Sequence, residues 1–285
     1  MKPTSPNGNR KPPFYLRLSD LHDSLDDSLL VRHIAVPLES CAGNDDAKTV
    51  RSRMEEKNFD MLGVTENGNL RGYVRRQDLK TGKCRDYLKS FNATEIIAST
   101  TPLIELLPLL RFKAHVFVLD RTTLAHLVTR ADLQKSPVRM LLFGLVSLLE
   151  MYFLEMIRIC YPGDSFQEKL TPGRLEKAQR LLAAKIGQDE DIDLASCLTM
   201  TDKRDLLLQV NRFLDYFSLG DGRQASKSFK EMERLRDRLA HGQDLISGTG
   251  WDAVLAVAAE LEAFLRNCDE KRDEFVQAFG KATTP

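Results

Sequence analysis

Apolar positions along the chain change rhythm near residue 133. Before that point, short apolar runs are separated by turn residues. "FDMLGV" (Phe59–Val64) reads as a strand, Asn67-Gly68 as a hairpin turn, and "LRGYVR" as the return strand. "RQDLK" then opens a helix with Asp78 near its start. About 54 residues later the same grammar returns: "HVFVLD" (His115–Asp120), "RTT", "LAHLVT" and the helix opening "RADLQK". A helical segment precedes each hairpin, "DDAKTVRSRMEEKN" in the first case and "TPLIELLPLLRFK" in the second. Aligning Asp78 with Asp132 superposes the two hairpins, so the chain carries an internal repeat of helix, hairpin, helix.

From Ser136 the period becomes helical. Helices are predicted over residues 137–160, 172–187, 201–218, 224–241 and 251–279, with turns at "YPGD", "GQDED", "LGDG" and "HGQDLISGTG". Thr171-Pro172 starts one helix in cap-then-proline order. The expected fold is an α+β first half, residues 28–135 with repeats over about 28–82 and 92–135, followed by an all-α bundle over residues 136–285. Residues 1–27, beginning "MKPTSPNGNRKPPF", lack an apolar core and read as a poorly ordered lead-in.

Composition narrows the picture. The chain has 285 residues, with 41 basic residues balancing 41 acidic ones. Zero net charge argues against a surface that coats nucleic acid everywhere, while leaving room for a local basic patch. Five scattered cysteines (Cys41, Cys84, Cys160, Cys197, Cys268) without Cys-x-x-Cys spacing read as reduced thiols in a cytoplasmic protein, with no zinc site. "MLLFGLVSLLEMYFLEMIRIC" (Met140–Cys160) is long and apolar, but Glu150, Glu155 and Arg158 interrupt it. It is expected to be a helix buried between domains or subunits, with no membrane partner, since a span needs roughly 18 apolar residues.

The segments closing the two hairpins, "GYVRRQD" and "HLVTRAD", resemble the local signature of CBS domains, named after cystathionine β-synthase. That signature is a glycine, two apolar residues, Thr or Ser, two variable residues and Asp. The resemblance covers residues 28–135 and implies two repeats packed through their sheets. It also implies an adenine nucleotide as regulatory ligand, the hydroxyl on phosphate and the Asp on ribose. Each copy departs once: Gly72 and Asp78 are kept but Arg75 replaces the hydroxyl, whereas Thr129 and Asp132 are kept but His126 replaces the glycine. Arg75 offers charge in place of a hydroxyl. Asp78 and Asp132 also read as plain helix caps, a role Asp fills without any ligand.

Late in the helical half stands "RLRDRLAHG". Arg236, Asp237 and His241 supply an Arg, four residues, then His. Together with the helical setting this resembles the motif of the HEPN superfamily, over residues 137–279. The resemblance implies a homodimer and a metal-independent ribonuclease. Its composite site would use His241 as proton carrier and Arg236, followed by Asp237, to stabilise the phosphate, leaving a 2′,3′-cyclic phosphate and a 5′-hydroxyl. No cofactor or metal is then required.

Helical geometry complicates that assignment. At about 100° per residue, Arg236 and His241 lie about 140° apart, whereas Arg234 shares the His241 face within about 20°. Arg234 is therefore the alternative arginine, and a site with Arg236 needs a second chain. Between Arg223 and His241 six basic residues face three acidic ones, a net +3 that favours phosphate. Arg238, Lys230 and Lys227 are the expected RNA contacts. The bland alternative makes this a solvated helix end, with His241 as C-cap beside Gly242.

Three functions fit the sequence. The first is a nucleotide-regulated ribonuclease of a toxin or defence type, acting on RNA and held in check by an antitoxin or other regulatory protein. The second is a non-catalytic CBS-domain regulator whose helical half dimerises or docks a partner. In the third the helical half binds nucleotide or is itself nucleotidyl-modified.

Overall fold

The structure, a computed structural model, describes residues 17–186 and 192–280. It divides into two compact units. One, the mixed unit, spans Leu25–Arg139; the other, the helical unit, joins the residues up to Ser24 to those from Met140 onward. The expected lead-in therefore needs correcting. Helix α1 (Leu18–Leu25) lies in it, with Leu18 buried and its N–H donating to Asp269 Oδ2 at 2.8 Å. Residues 1–16 and the turn expected at "GQDED" (187–191) lie outside the described residues.

In the mixed unit, β1 (Val36–Pro37), β2 (Ser40–Ala42), α2 (Ala47–Glu56), β3 (Met61–Glu66) and β4 (Asn69–Arg75) make the first repeat. The second consists of β5 (Ile96–Ala98), α3 (Leu103–Phe112), β6 (His115–Asp120) and β7 (Thr123–Thr129). The hairpins are 54 residues apart strand for strand, down to the register shifts at Val64/Thr65 and Val118/Leu119. Asn67 (φ 50°) and Gly68 (φ 77°) take the left-handed pair of values that a two-residue hairpin turn demands. Asp46 caps α2 by accepting from the Thr49 N–H at 2.8 Å.

Two features depart from the sequence pattern. The helices expected after each hairpin are absent: residues 76–78 form a turn, and Arg130–Gln134 a single 3₁₀ turn. The repeats also exchange edges. β1 pairs with β7 through Val36↔Leu127 and Pro37↔His126, and Lys89 bridges Tyr73 of β4 at the corresponding edge. Sheet order is β1-β7-β6-β5 and β2-β3-β4, with β2 and β5 parallel to their neighbours. Pairings of one or two residues are too short to leave a period in the sequence.

Alternation then sorts the side chains. Leu62, Val64 and Val74 share one core with Ala47, Val50 and Met54 of α2. The opposite faces of the strands meet in a second core of Met61, Tyr73, Phe117 and Leu127, joined by Phe91. Tyr73, Phe91 and Phe117 have ring centroids 4.7–5.7 Å apart. Strand parity places Arg75, His115 and Thr129 on this shared side.

The helical unit contains α4 (Ser136–Cys160) from Met140 onward, α5 (Pro172–Ile186), α6 (Met200–Leu207), α7 (Phe213–Phe217), α8 (Gly222–Ala240), α9 (Gly250–Glu270) and α10 (Arg272–Phe279). By length and composition alone α4 is long and apolar enough to cross a membrane, yet 56% of its most apolar window is buried. Phe153 of α4 packs on Phe229 of α8 and Phe264 of α9. Two predicted helices are broken. The 201–218 helix stops after Leu207 and resumes past Arg212 (φ 64°), which turns Phe213 and Phe217 into the core. The 251–279 helix breaks at Lys271, where Tyr216 OH donates to the Lys271 carbonyl and Lys271 Nζ to the Tyr216 carbonyl. The Lys271 carbonyl also accepts from the Phe275 N–H at 2.8 Å, so the two bonds to Tyr216 tie this junction to α7 in addition to the helical bonding.

Candidate functional site

A cleft of about 580 Å³ opens in the mixed unit, within the ~300–1,000 Å³ common for small-molecule sites. Arg75 of β4 and Thr129 of β7 line it from equivalent ends of the two hairpins, with Met61 and His115 as their cross-strand partners. Phe112, 81% exposed, stands at its rim.

The cations around the cleft differ in what holds them. Arg51 pairs with Glu55 at 2.9 Å and Arg76 with Asp60 at 2.6 Å. Lys113 donates to the Thr94 carbonyl and hydroxyl at 2.5 and 2.8 Å, both neutral acceptors. Arg75 donates from Nη2 to Tyr73 OH at 3.3 Å with its guanidinium 5.8 Å from that ring centroid, while its buried Nε has no hydrogen-bond partner among the described residues. Neither Arg75 nor Lys113 makes an ion pair among the described residues. Their charge is thus available to an anion.

The two signature aspartates do not line the cleft. Asp132 is buried and accepts from the Thr129 N–H and hydroxyl at 2.8 and 2.9 Å, and Lys135 Nζ sits 2.8 Å from its other oxygen. That is a capping box closed by a cation, so its acceptor positions are occupied within the chain. Asp78 pairs with Lys89 at 2.8 Å. Of the four residues expected to bind nucleotide, the structure brings Arg75 and Thr129 to one cavity and assigns Asp78 and Asp132 to internal contacts.

His115 and Lys113, also in the lining, were not predicted. A signal existed: His115 stands an even number of positions from Phe117 on a strand whose intervening residues face the helix. Parity alone marks it as facing the second sheet.

In the helical unit, α8 starts at Asp221, which accepts from Gln224 N–H at 2.7 Å, and buries Ala225, Phe229, Met232 and Leu235. Arg236 borders that face and pairs with Glu150 of α4 at 3.2 Å and with Asp237 at 3.0 Å. Glu233 is tied to Arg204 of α6, one of three consecutive buried charged residues, Asp202, Lys203 and Arg204. Burial pulls the Lys203 ammonium below the usual lysine range, with Glu150 opposing. Arg238, an expected RNA contact, is also engaged within the chain. It donates to the Leu245 and Ser247 carbonyls and to the Thr249 hydroxyl at 2.9–3.1 Å, pinning the loop after the helix.

His241 is exposed and forms the C-cap, followed by Gly242 with φ 63°. Its backbone therefore adopts the bland alternative, while its side chain is bonded to nothing among the described residues. Arg223, Lys227, Lys230, Arg234 and His241 are all exposed and follow one another at helical spacing, a single outward stripe. Arg234 is 65% exposed and, among the described residues, paired only with Glu231, its neighbour one turn away. Within one chain it is Arg234, not Arg236, that shares the His241 face. No group of three or more His, Cys, Asp or Glu side chains is placed to hold a metal among the described residues.

No protein-family model matches the chain, and neither does any curated protein. Solved structures similar to it are CBS-domain proteins matched over its N-terminal part. They include CBSX2 in complex with AMP, at 16% identity and TM-score 0.35, covering 40% of this chain and 98% of that one. The CBS domain of a bacterial CNNM/CorC family Mg²⁺ transporter in complex with ATP matches at 16% identity and TM-score 0.34, over 42% and 95% of the two chains. A conserved CBS domain protein of unknown function from Thermoplasma acidophilum matches at 16% identity and TM-score 0.32, over 40% and 75%. Likenesses this distant say nothing of what the present chain binds.

Proposed function

We propose that the mixed unit is a regulatory module that binds an adenine nucleotide in its cleft. The observation that carries this reading is the cavity itself, with Arg75 and Lys113 in no ion pair among the described residues, although Glu55, Asp60 and Glu95 share its lining, and with an exposed aromatic ring at its rim. A guanidinium without a counter-ion matches phosphate oxygens, and an exposed ring offers a stacking face to a base. Arg75 and Thr129 take the phosphate side in this reading, and no metal is needed. Calorimetry of the full chain against AMP, ADP and ATP tests it. Saturable binding is expected, and an absence of heat with every nucleotide overturns it.

A second reading concerns the helical unit: a ribonuclease site on the outward stripe of α8, completed by a second copy of the chain. The exposed His241 and Arg234 on one basic face favour it. His241 would move the 2′-hydroxyl proton and an arginine would stabilise the phosphate, giving a 2′,3′-cyclic end. Labelled RNA incubated with EDTA should be cleaved by the wild type and spared by His241→Ala. Equal cleavage, or none by either, would leave the helical half as a non-catalytic partner of the sensor.

A further inference from the structure

His115 differs from the other polar groups of the cleft. It is 7% exposed, its Nε2 is buried without a hydrogen-bond partner among the described residues, and its ring stands edge-on to Tyr73 and Phe117 at 6.0 and 5.2 Å. Arg75 Nε, in the same cavity wall, is likewise buried and unpartnered. A buried polar group left unpaired costs about 1–3 kcal/mol, so two in one cavity wall favour any ligand that supplies acceptors to both.

The charges facing the imidazole come from three places. Glu95 lies before β5, Arg75 ends β4, and Lys113 follows α3. Burial is the largest influence and holds the imidazole below its ordinary value; Glu95 opposes this, and Arg75 and Lys113 add to it. Arg51 with Glu55 and Arg76 with Asp60 are farther members of the same lining and are internally paired. Burial and the two cations therefore favour the neutral imidazole. A phosphate group there reverses the balance, because an anion within ~4–6 Å favours the protonated ring.

We infer that phosphate binding in this cleft is coupled to uptake of a proton by His115, so that His115 and Arg75 grip the phosphate together and affinity rises as pH falls. This rests on the reading of the cleft as a nucleotide site. The sign follows from linkage. Occupancy raises the proton affinity of the ring, so the added binding is complete below the value of the free protein and is lost as pH rises through that of the complex.

Titration calorimetry of the full chain with ATP, from about pH 5.5 to about pH 8, tests the coupling. Running it in two buffers of different ionisation enthalpy reads proton uptake directly, and H115Q run alongside subtracts the titration of ATP itself. The expected result is an affinity about tenfold higher at the acid end for the wild type, with H115Q binding ATP but lacking that excess slope. The proton NMR titration of the His115 ring, with and without ATP, gives the same answer in the unaltered protein should H115Q fold poorly. Binding with no excess slope and an unmoved His115 titration overturns the inference and leaves the nucleotide site standing. No binding at any pH removes both.

Discussion

The two repeats of the mixed unit share a backbone and differ in chemistry. Hairpins 54 residues apart keep the same length, register shift and positive-φ turn position, yet Met61 answers to His115, Arg75 to Thr129 and Gly72 to His126. A duplicated fold therefore delivers one copy of each group to the cleft. Duplication fixes where side chains point, and substitution in single copies decides what they do. The edges differ as well. At Gly72 an added Cβ would stand 2.2 Å from the Lys89 carbonyl oxygen, whereas the equivalent His126 pairs with Pro37 of β1 and keeps its side chain.

That asymmetry can be broken in three places, from the largest effect to the smallest. Gly72→Ala should cost about 3 kcal/mol, at the upper end for overpacking because the obstructing atom is backbone. His126→Ala should stay within about 0.5 kcal/mol, and urea unfolding of both variants compares them. Asp132→Ala should cost about 1–2 kcal/mol by orphaning the Thr129 N–H and hydroxyl and by removing the carboxylate from Lys135, whose Nζ keeps its bond to the Ile34 carbonyl. The matching Asp78→Ala breaks only a half-exposed pair with Lys89 and should cost under about 1 kcal/mol in the same measurement. Equal losses would mean that the two aspartates do the same work. Last, Arg75→Ala should weaken ATP binding about tenfold and Thr129→Val about threefold, read by calorimetry. The smaller effect is expected because the Thr129 hydroxyl already donates to Asp132.

The segment around His241 shows where a motif stops being informative. Arg236 and Arg238 are alike in the sequence, but α4 claims the first through Glu150 and the following loop claims the second through its carbonyls. No spacing rule anticipates this, because the acceptors lie on other elements. His241 is the converse case: a C-cap with glycine after it was readable, and the structure leaves its side chain exposed. In the cleft, Arg75 and Thr129 were legible because the hairpin pattern fixed their equivalence. His115 was legible only through strand parity. The exchanged edges at Val36 and Lys89 were not legible at all, since pairings so short carry no hydrophobic period.

Local pattern alone determined the repeat, its turns, the switch from strands to helices near residue 136 and the amphipathic face of α8. Each depends on a side-chain period or on a backbone angle that a few neighbours dictate. Tertiary structure alone decided that helix α1 joins the helical unit, that Lys271 interrupts the last long helix, and which arginine is held in an internal ion pair. It also decided that His115 and Arg75 meet at one cavity wall with unpaired nitrogens. Those outcomes depend on groups far apart in the chain, whose approach is set by how elements pack and by whether each buried polar atom finds a partner.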